Sequence, residues 1–387
     1  MKIENLGKIV TGKTPSTKKS AFWGGSIPFV TPKDIQGLKS VDRTERYLTE
    51  EGLNSVAGSI LPSRAICVSC IGNIGYVGMT TQRCVSNQQI NSIIVNGEND
   101  PDYVYYLIKS FWPYFKNYEG QSTTLSILNK TQFSKIDIDV PPLEIQRVVA
   151  RVLSSLDAKI ELNKKINDNL EQQAQAYFQE LFVDNADPEW TTGTISDLGT
   201  VVGGSTPSKA KPEYYTETGI AWITPKDLSI NKSKFVFHGE NDITELGLKN
   251  SSATIMPEGT VLFSSRAPIG YIAIAAGEVT TNQGFKSVVP KSEVGTPFVY
   301  FFLKNTLPVI EGMASGSTFK EVSGSTMKNV PAIIPDTETL AKFSDFCVPI
   351  FAQQRILEGQ NHSLAILRDN LLPKLMSGEI DVSDIDL

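Results

Sequence analysis

The chain has 387 residues, with 36 Lys and Arg against 42 Asp and Glu, two His and a formal net charge of −6. That length calls for two or more domains, and 40% apolar with 20% charged residues excludes a disordered or fibrous chain. No apolar run reaches the 18 residues that a membrane span needs. The start, MKIENLGKIV, lacks the apolar core of a signal peptide, so a cytosolic location is expected. The negative total disfavours nucleic acid only if the charge is evenly spread.

In chain order, the first 142 residues are rich in short β-like runs such as IPFV, AICVS and NSIIV, set between Gly, Pro, Ser and Asn. Gly7 to Thr14 fits the phosphate-loop pattern G-x-x-x-x-G-K-[ST]. The mechanism needs a strand before the glycines and a helix opening at Lys13-Thr14, yet STKKSAFWGG shows no helical stripe. Cys67 and Cys70 form a lone C-x-x-C with no second pair to complete a metal site, inside a segment that reads as a buried strand. No cluster of His is possible, and His238 and His362 read as ordinary polar positions. DYVYYLIKSFWPYF reads as a helix packed on the strands.

From Leu143 to Phe182 no Gly or Pro occurs. Val149, Val152, Leu156, Ile166, Leu170 and Tyr177 follow 3/4 steps, with Lys159, Asn163 and Gln173 as polar members. The pattern predicts a long helix with a coiled-coil seam. A second series, Phe343, Cys347, Ile350, Leu357, Leu364, Leu371 and Leu375, closes the chain, with Gln354, Asn361 and Arg368 as polar members and with kinks expected at Pro349 and Pro373.

Between these helices the first part of the chain recurs. LGKIVTGKTPSTKK matches LGTVVGGSTPSKAK, IPFVTPKDIQ matches IAWITPKDLS, and ILPSRAICVSCIGNIGYVG matches IMPEGTVLFSSRAPIGYIA. VSNQQINSIIV, YVYYLIKS and GQSTTLSILNKTQFSKIDIDVP have counterparts in the same order, at offsets of 192 to 195 residues. The chain is thus two copies of one unit. The expected fold is α+β: two pseudo-repeated β-rich domains, residues 1–142 and 191–335, separated by two long antiparallel coiled-coil helices, residues 143–190 and 336–387, with pseudo-twofold symmetry. Asn163 and Asn361 would sit mid-seam, where polar residues fix register. Val152, Leu156, Ile166, Leu170, Leu357, Leu364 and Leu371 would line the seam or a partner interface. Leu162, Phe178, Phe182, Leu367 and Leu375 are further interface candidates.

Charge follows this division. Residues 1–142 carry net +3, residues 191–335 net zero, and the two helical parts −4 and −5. The first 48 residues alone carry net +5, with Lys13, Lys18 and Lys19 clustered and echoed by Lys209 and Lys211. This distribution suits β-rich units that meet a polyanion and helices that meet something else. No catalytic signature stands out, neither a G-x-S-x-G elbow nor the motifs of an amino-methyltransferase, which points to a recognition protein.

PPLEIQRVVARVLSSLDAKIELNKKINDNLEQQAQAYFQELFVD and the terminal LLPKLMSGEIDV closely resemble the central and distal conserved regions of specificity subunits of type I restriction–modification systems. The paired TPS, TPKD and N-Q elements are similar to the two target-recognition domains of that family. The resemblance covers essentially the whole chain. It implies a non-catalytic reader of double-stranded DNA that recognises a split, asymmetric target. It also implies helices that act as spacer and dock two methyltransferase subunits, and an association with restriction and translocase subunits. AdoMet, ATP and Mg²⁺ would then belong to partner subunits, with no metal on this chain.

Candidates for DNA contact are the loop cations Lys13, Lys18, Lys19, Lys33, Lys209, Lys211 and Lys226, the amides Asn87, Gln88, Asn282 and Gln283, and the hydroxyl pairs Ser122/Thr123 and Ser317/Thr318. Positions repeated in both copies are better suited to fold support or phosphate contact, and base choice is expected where the copies diverge, as in residues 36–59 against 229–254. The competing reading is a non-catalytic coiled-coil adaptor whose tandem β-rich domains bind proteins or glycans; it does not need the charge split.

Overall fold

The repeat in sequence is a repeat in strand order. The computed structural model describes residues 1–37, 39–119, 127–316 and 320–382. In the first copy, β1 (Gly7–Thr11), β2 (Ser40–Val41), β3 (Ile66–Ser69), β4 (Val77–Thr80) and β5 (Ile90–Val95) form one sheet in the order β1-β5-β3-β4-β2. In the second, β6 (Gly199–Gly203), β7 (Phe235–Val236), β8 (Val261–Ser265), β9 (Ile269–Ala275) and β10 (Lys286–Pro290) give β6-β10-β8-β9-β7, the same order strand for strand. In each sheet only the last pair is parallel. A second parallel contact is also copied: Phe29 lies opposite Val85, and Trp222 opposite Thr280.

The strand β1 occupies the front of the phosphate-loop look-alike, and no helix opens at Lys13-Thr14. The glycines have a packing role instead. A Cβ on Gly12 would collide with the backbone carbonyls of Ser86 and Asn87, and one on Gly204 with those of Thr281 and Asn282. The chain passes too close to the neighbouring strand for any side chain.

The Gly- and Pro-free run forms a helix over Leu143–Gln179, here called the central helix, which ends in a wider turn over Glu180–Asp184. The distal helix runs over Thr337–Met376 and is continuous through Pro349 and Pro373. Asp336 caps its start by accepting from the Thr339 N–H at 2.9 Å and the Thr339 hydroxyl at 2.8 Å.

By contacts the chain divides into two units, Met1–Glu161 with His362–Leu387, and Leu162–Asn361. The boundaries fall inside both helices, so the helices are not bodies separate from the β-rich domains. In the first unit Val149, Ala150 and Leu153 of the central helix, with Leu372 and Leu375 of the distal helix, complete the core formed by the sheet and the helix Pro101–Ser110. In the second unit Ala174, Phe178 and Phe182 join Phe343, Cys347 and Phe351 against the sheet and the helix Thr296–Met313.

Each core carries buried polar pairing along its helices. In the first unit Asp157 accepts from the Arg368 guanidinium at 2.6 Å and the Tyr106 hydroxyl at 2.5 Å. In the second, Glu171 accepts from Lys234 at 2.8 Å and Lys304 at 2.5 Å, and Lys234 also donates to the Gln354 carbonyl oxygen at 2.9 Å. Burial alone would push the Glu171 carboxyl upward. The two ammonium groups overcome it and hold the carboxyl at about 2.

Gly204→Ala should destabilise the fold by about 1–3 kcal/mol or more, because backbone rather than a side-chain tip must move; a lowered thermal midpoint checks it. Glu171→Gln should cost about 3–5 kcal/mol, since it leaves the buried Lys234 ammonium without the carboxylate it pairs with and takes the same partner from the half-buried Lys304. The folded Glu171 carboxyl lies below its ordinary value of 4.5. Its contribution is therefore complete above that pH and fades as the pH falls toward about 2. Acid unfolding followed by circular dichroism should show this loss in the native chain and not in the variant.

Candidate nucleic-acid interface

The two TPKD segments follow the copied parallel strands and share the same Thr–Asp bonding, at a turn in the first copy and at the start of the helix Pro225–Ile230 in the second. Asp34 Oδ2 accepts from the Thr31 N–H at 2.7 Å and the Thr31 hydroxyl at 2.6 Å, and Asp227 Oδ2 makes the same two bonds with Thr224 at the same distances. The other carboxylate oxygen accepts from the Glu45 N–H at 3.0 Å in one copy and the Glu240 N–H at 2.8 Å in the other. Thr and Asp are consumed in holding the turn to a crossing loop, and Lys33 and Lys226 project from it, both exposed. Lys226 pairs with Glu240 at 2.5 Å, which raises its pKa above the ordinary value. Lys33 has no ion pair among the described residues.

The N-Q elements divide in the same way. Asn87 is buried and its carbonyl oxygen accepts from the Gln89 N–H at 3.1 Å, while that of Asn282 accepts from the Gly284 N–H at 2.8 Å. Both shape a turn. Gln88 and Gln283 are exposed, and each accepts from the hydroxyl of the TPS threonine, Thr14 at 2.6 Å and Thr206 in the second copy. The opening loop is thereby tied to this turn in both units.

In the second unit these pieces line one groove of about 660 Å³, where Lys209, Lys226, Asn282 and Gln283 converge. Trp222, Tyr215, Asn241 and Arg266 complete its walls and were not among the sequence candidates. A usable signal existed for Arg266, since it stands where the first copy has Ile71. Lys211 is exposed and its ammonium lies 5.5 Å from the Tyr214 ring, away from the groove lining. In the first unit Lys13, Lys18 and Lys19 are exposed, the last 5.0 Å from the Phe22 ring centre. Ser122, Thr123, Ser317 and Thr318 lie outside the described residues.

The helix candidates are spread over several environments. Asn163 is fully buried and donates to the Asn361 carbonyl oxygen at 2.9 Å. Leu357 is buried, whereas Val152, Leu156, Leu170, Asn361, Leu364 and Leu371 are half-buried. Ile166, Leu162 and Leu367 are exposed. Phe178, Phe182 and Leu375 are enclosed in the unit cores and offer no surface to a partner.

All four cysteines are free and buried, and burial pushes the Cys67 and Cys70 thiols up to about 11, so both stay protonated. Among the described residues no group of three or more His, Cys, Asp or Glu is placed to hold a metal ion, and no helix is long and apolar enough to cross a membrane.

The family model for the type I restriction modification DNA specificity domain matches residues 1–172 and again residues 188–365. The chain belongs to that family. It is 29% identical to the type I restriction enzyme MjaIX specificity subunit of Methanocaldococcus jannaschii, over 99% of this chain and 94% of the relative. It is 35% identical to the HindI specificity subunit of Haemophilus influenzae, over 43% of this chain and 38% of the relative. The fold matches that of a type I restriction-modification system S subunit from M. genitalium with a TM-score of 0.62 and 16% identity, over 97% of this chain and 95% of that one. The family match repeats where the strand order repeats, so each copy is one specificity domain.

The TPKD turn is testable by itself. Asp227→Ala removes the acceptor for three bonds of the second unit and should cost about 1–2 kcal/mol, read as a lower thermal midpoint, with Asp34→Ala doing the same in the first.

Proposed function

We propose that this chain is the DNA-reading subunit of a type I restriction–modification complex. It reads a bipartite, asymmetric double-stranded target, one half with each specificity domain, and docks two methyltransferase subunits. Restriction and translocase subunits join through that assembly in the cytoplasm. AdoMet, ATP and Mg²⁺ are held by those partners, and this chain carries no catalytic step. The observation that carries the reading is one strand order and one Thr/Asp-held lysine segment, made twice in a single chain, with the second unit's groove lined by Trp222 and Arg266 where the first copy has Phe29 and Ile71.

The helices serve as an antiparallel coiled-coil spacer in this reading. Within the second unit Asn163 bonds Asn361, Asn167 bonds Gln354, and Tyr177 packs on Phe346, so rising numbers on one helix meet falling numbers on the other. A paired helix ruler fixes an interval between half-sites that a flexible linker would not. The helical parts hold the negative excess and the domains the small positive one. The chain alone should therefore bind DNA weakly and with strong salt dependence.

Methyltransferase subunits assembled with and without this chain decide the matter. Methylated adenines should map to one bipartite sequence only when the chain is present; methylation that ignores it overturns the reading. In the assembled complex Lys209→Ala and Lys33→Ala should each weaken binding evenly across sequences and lower the salt slope by about one.

A further inference from the structure

Residues 191–335 contain twelve basic side chains, of which Arg266 is the single arginine. It follows β8 directly and stands on the wall of the groove that also gathers Lys226, Asn282 and Gln283. The first copy has Ile71 at the matching place. Lys226 is fastened to Glu240 and sits on a turn that both units share. Such a copied contact cannot tell two different half-sites apart. Arg266 is the opposite case. Its side chain is 37% exposed, and its hydrogen-bonded partner among the described residues is Glu321, at a long 3.5 Å. Glu321 also has Lys286 at 3.8 Å, so it keeps a counter-charge when the guanidinium moves away.

A guanidinium is a rigid planar fork, and it matches the O6 and N7 acceptors that guanine presents in the major groove. An exposed, loosely held fork at an uncopied position of the groove has the chemistry of a base reader. We propose that Arg266 is a specificity-determining residue of the second unit and reads one guanine of its half-site through forked hydrogen bonds. This rests on the DNA-reading function proposed above.

The test uses the full chain assembled with its methyltransferase subunits. Methylation rates are measured on the mapped target and on duplexes in which each G·C pair is replaced in turn. Arg266→Ala should reduce discrimination at one G·C pair by roughly tenfold to a hundredfold, in one half of the target only. Arg266→Lys keeps the charge and the company of Glu321 but not the fork. It should lose the same discrimination while leaving the salt slope unchanged, and it carries the test if the alanine variant fails to fold. Discrimination retained in Arg266→Lys overturns the assignment, as does an equal slowing on every duplex, an effect in both halves, or a half-site without guanine. A complex that needs this chain but discriminates identically without Arg266 sinks only this assignment. A complex that methylates without the chain sinks the DNA-reading function itself.

Discussion

Neither β-rich domain closes its core with its own residues. The sheet and short helix of the first unit leave an apolar face that is covered by Val149, Ala150 and Leu153 from one long helix and Leu372 and Leu375 from the other. In the second unit Phe178 and Phe182 meet Phe298, Phe301 and Phe343 in a cluster with ring centres 4.8 to 6.1 Å apart. Fully burying one such side chain contributes about 1.5–3 kcal/mol. A helix that is a wall of the domain core cannot be removed without opening that core. The elements that look like a spacer in sequence are therefore also the floor on which each recognition sheet is built.

An apolar stripe alone tolerates sliding, because Leu against Phe is nearly as good one turn along. The buried ions do not tolerate it. A shifted register would leave Lys234, 8% exposed, facing Phe351 and Tyr300 without Glu171. An unpaired buried charge costs several kcal/mol. The first unit solves the same problem with different groups, Asp157 between Arg368 and Tyr106. Since an acid on the central helix meets a base on the domain in one unit and a base on the distal helix in the other, neither arrangement can stand in for the other.

Much of this was legible in the sequence for reasons that can be named. The repeat was visible because turn chemistry survives divergence: Gly12 and Gly204 have no room for a Cβ, and Thr31 and Thr224 are held by Asp34 and Asp227. The central helix was visible because nothing in it interrupts a backbone ladder. Its buried face was harder to read. Steps of three and four from Val152 lead to Ile166, which is 37% exposed, while the fully buried side chains include Leu153 and Ala174. A helix that must satisfy both a sheet and another helix has a wider apolar arc than a two-stranded seam, and periodicity alone does not say which part of the arc meets which neighbour. The groove was illegible for a further reason, since residues 206, 226, 266 and 283 come together only through the sheet.

The two copies also separate affinity from discrimination. On the DNA-reading function proposed above, groups present in both units, Lys33 and Lys226 above all, would grip a phosphate chain but would be the same wherever the two half-sites differ. The net charge of the domains is small, +3 in one and zero in the other. On that function a grip so weak would need reinforcement from partners, and a partner's charge reports no sequence either. Choice between bases would then be left to the few polar groups that one copy has and the other lacks. In the described groove of the second unit the Trp222 ring replaces Phe29 and the Arg266 guanidinium replaces Ile71. Of those two exchanges only the second brings a forked donor, which is the feature that a single base pair can recognise.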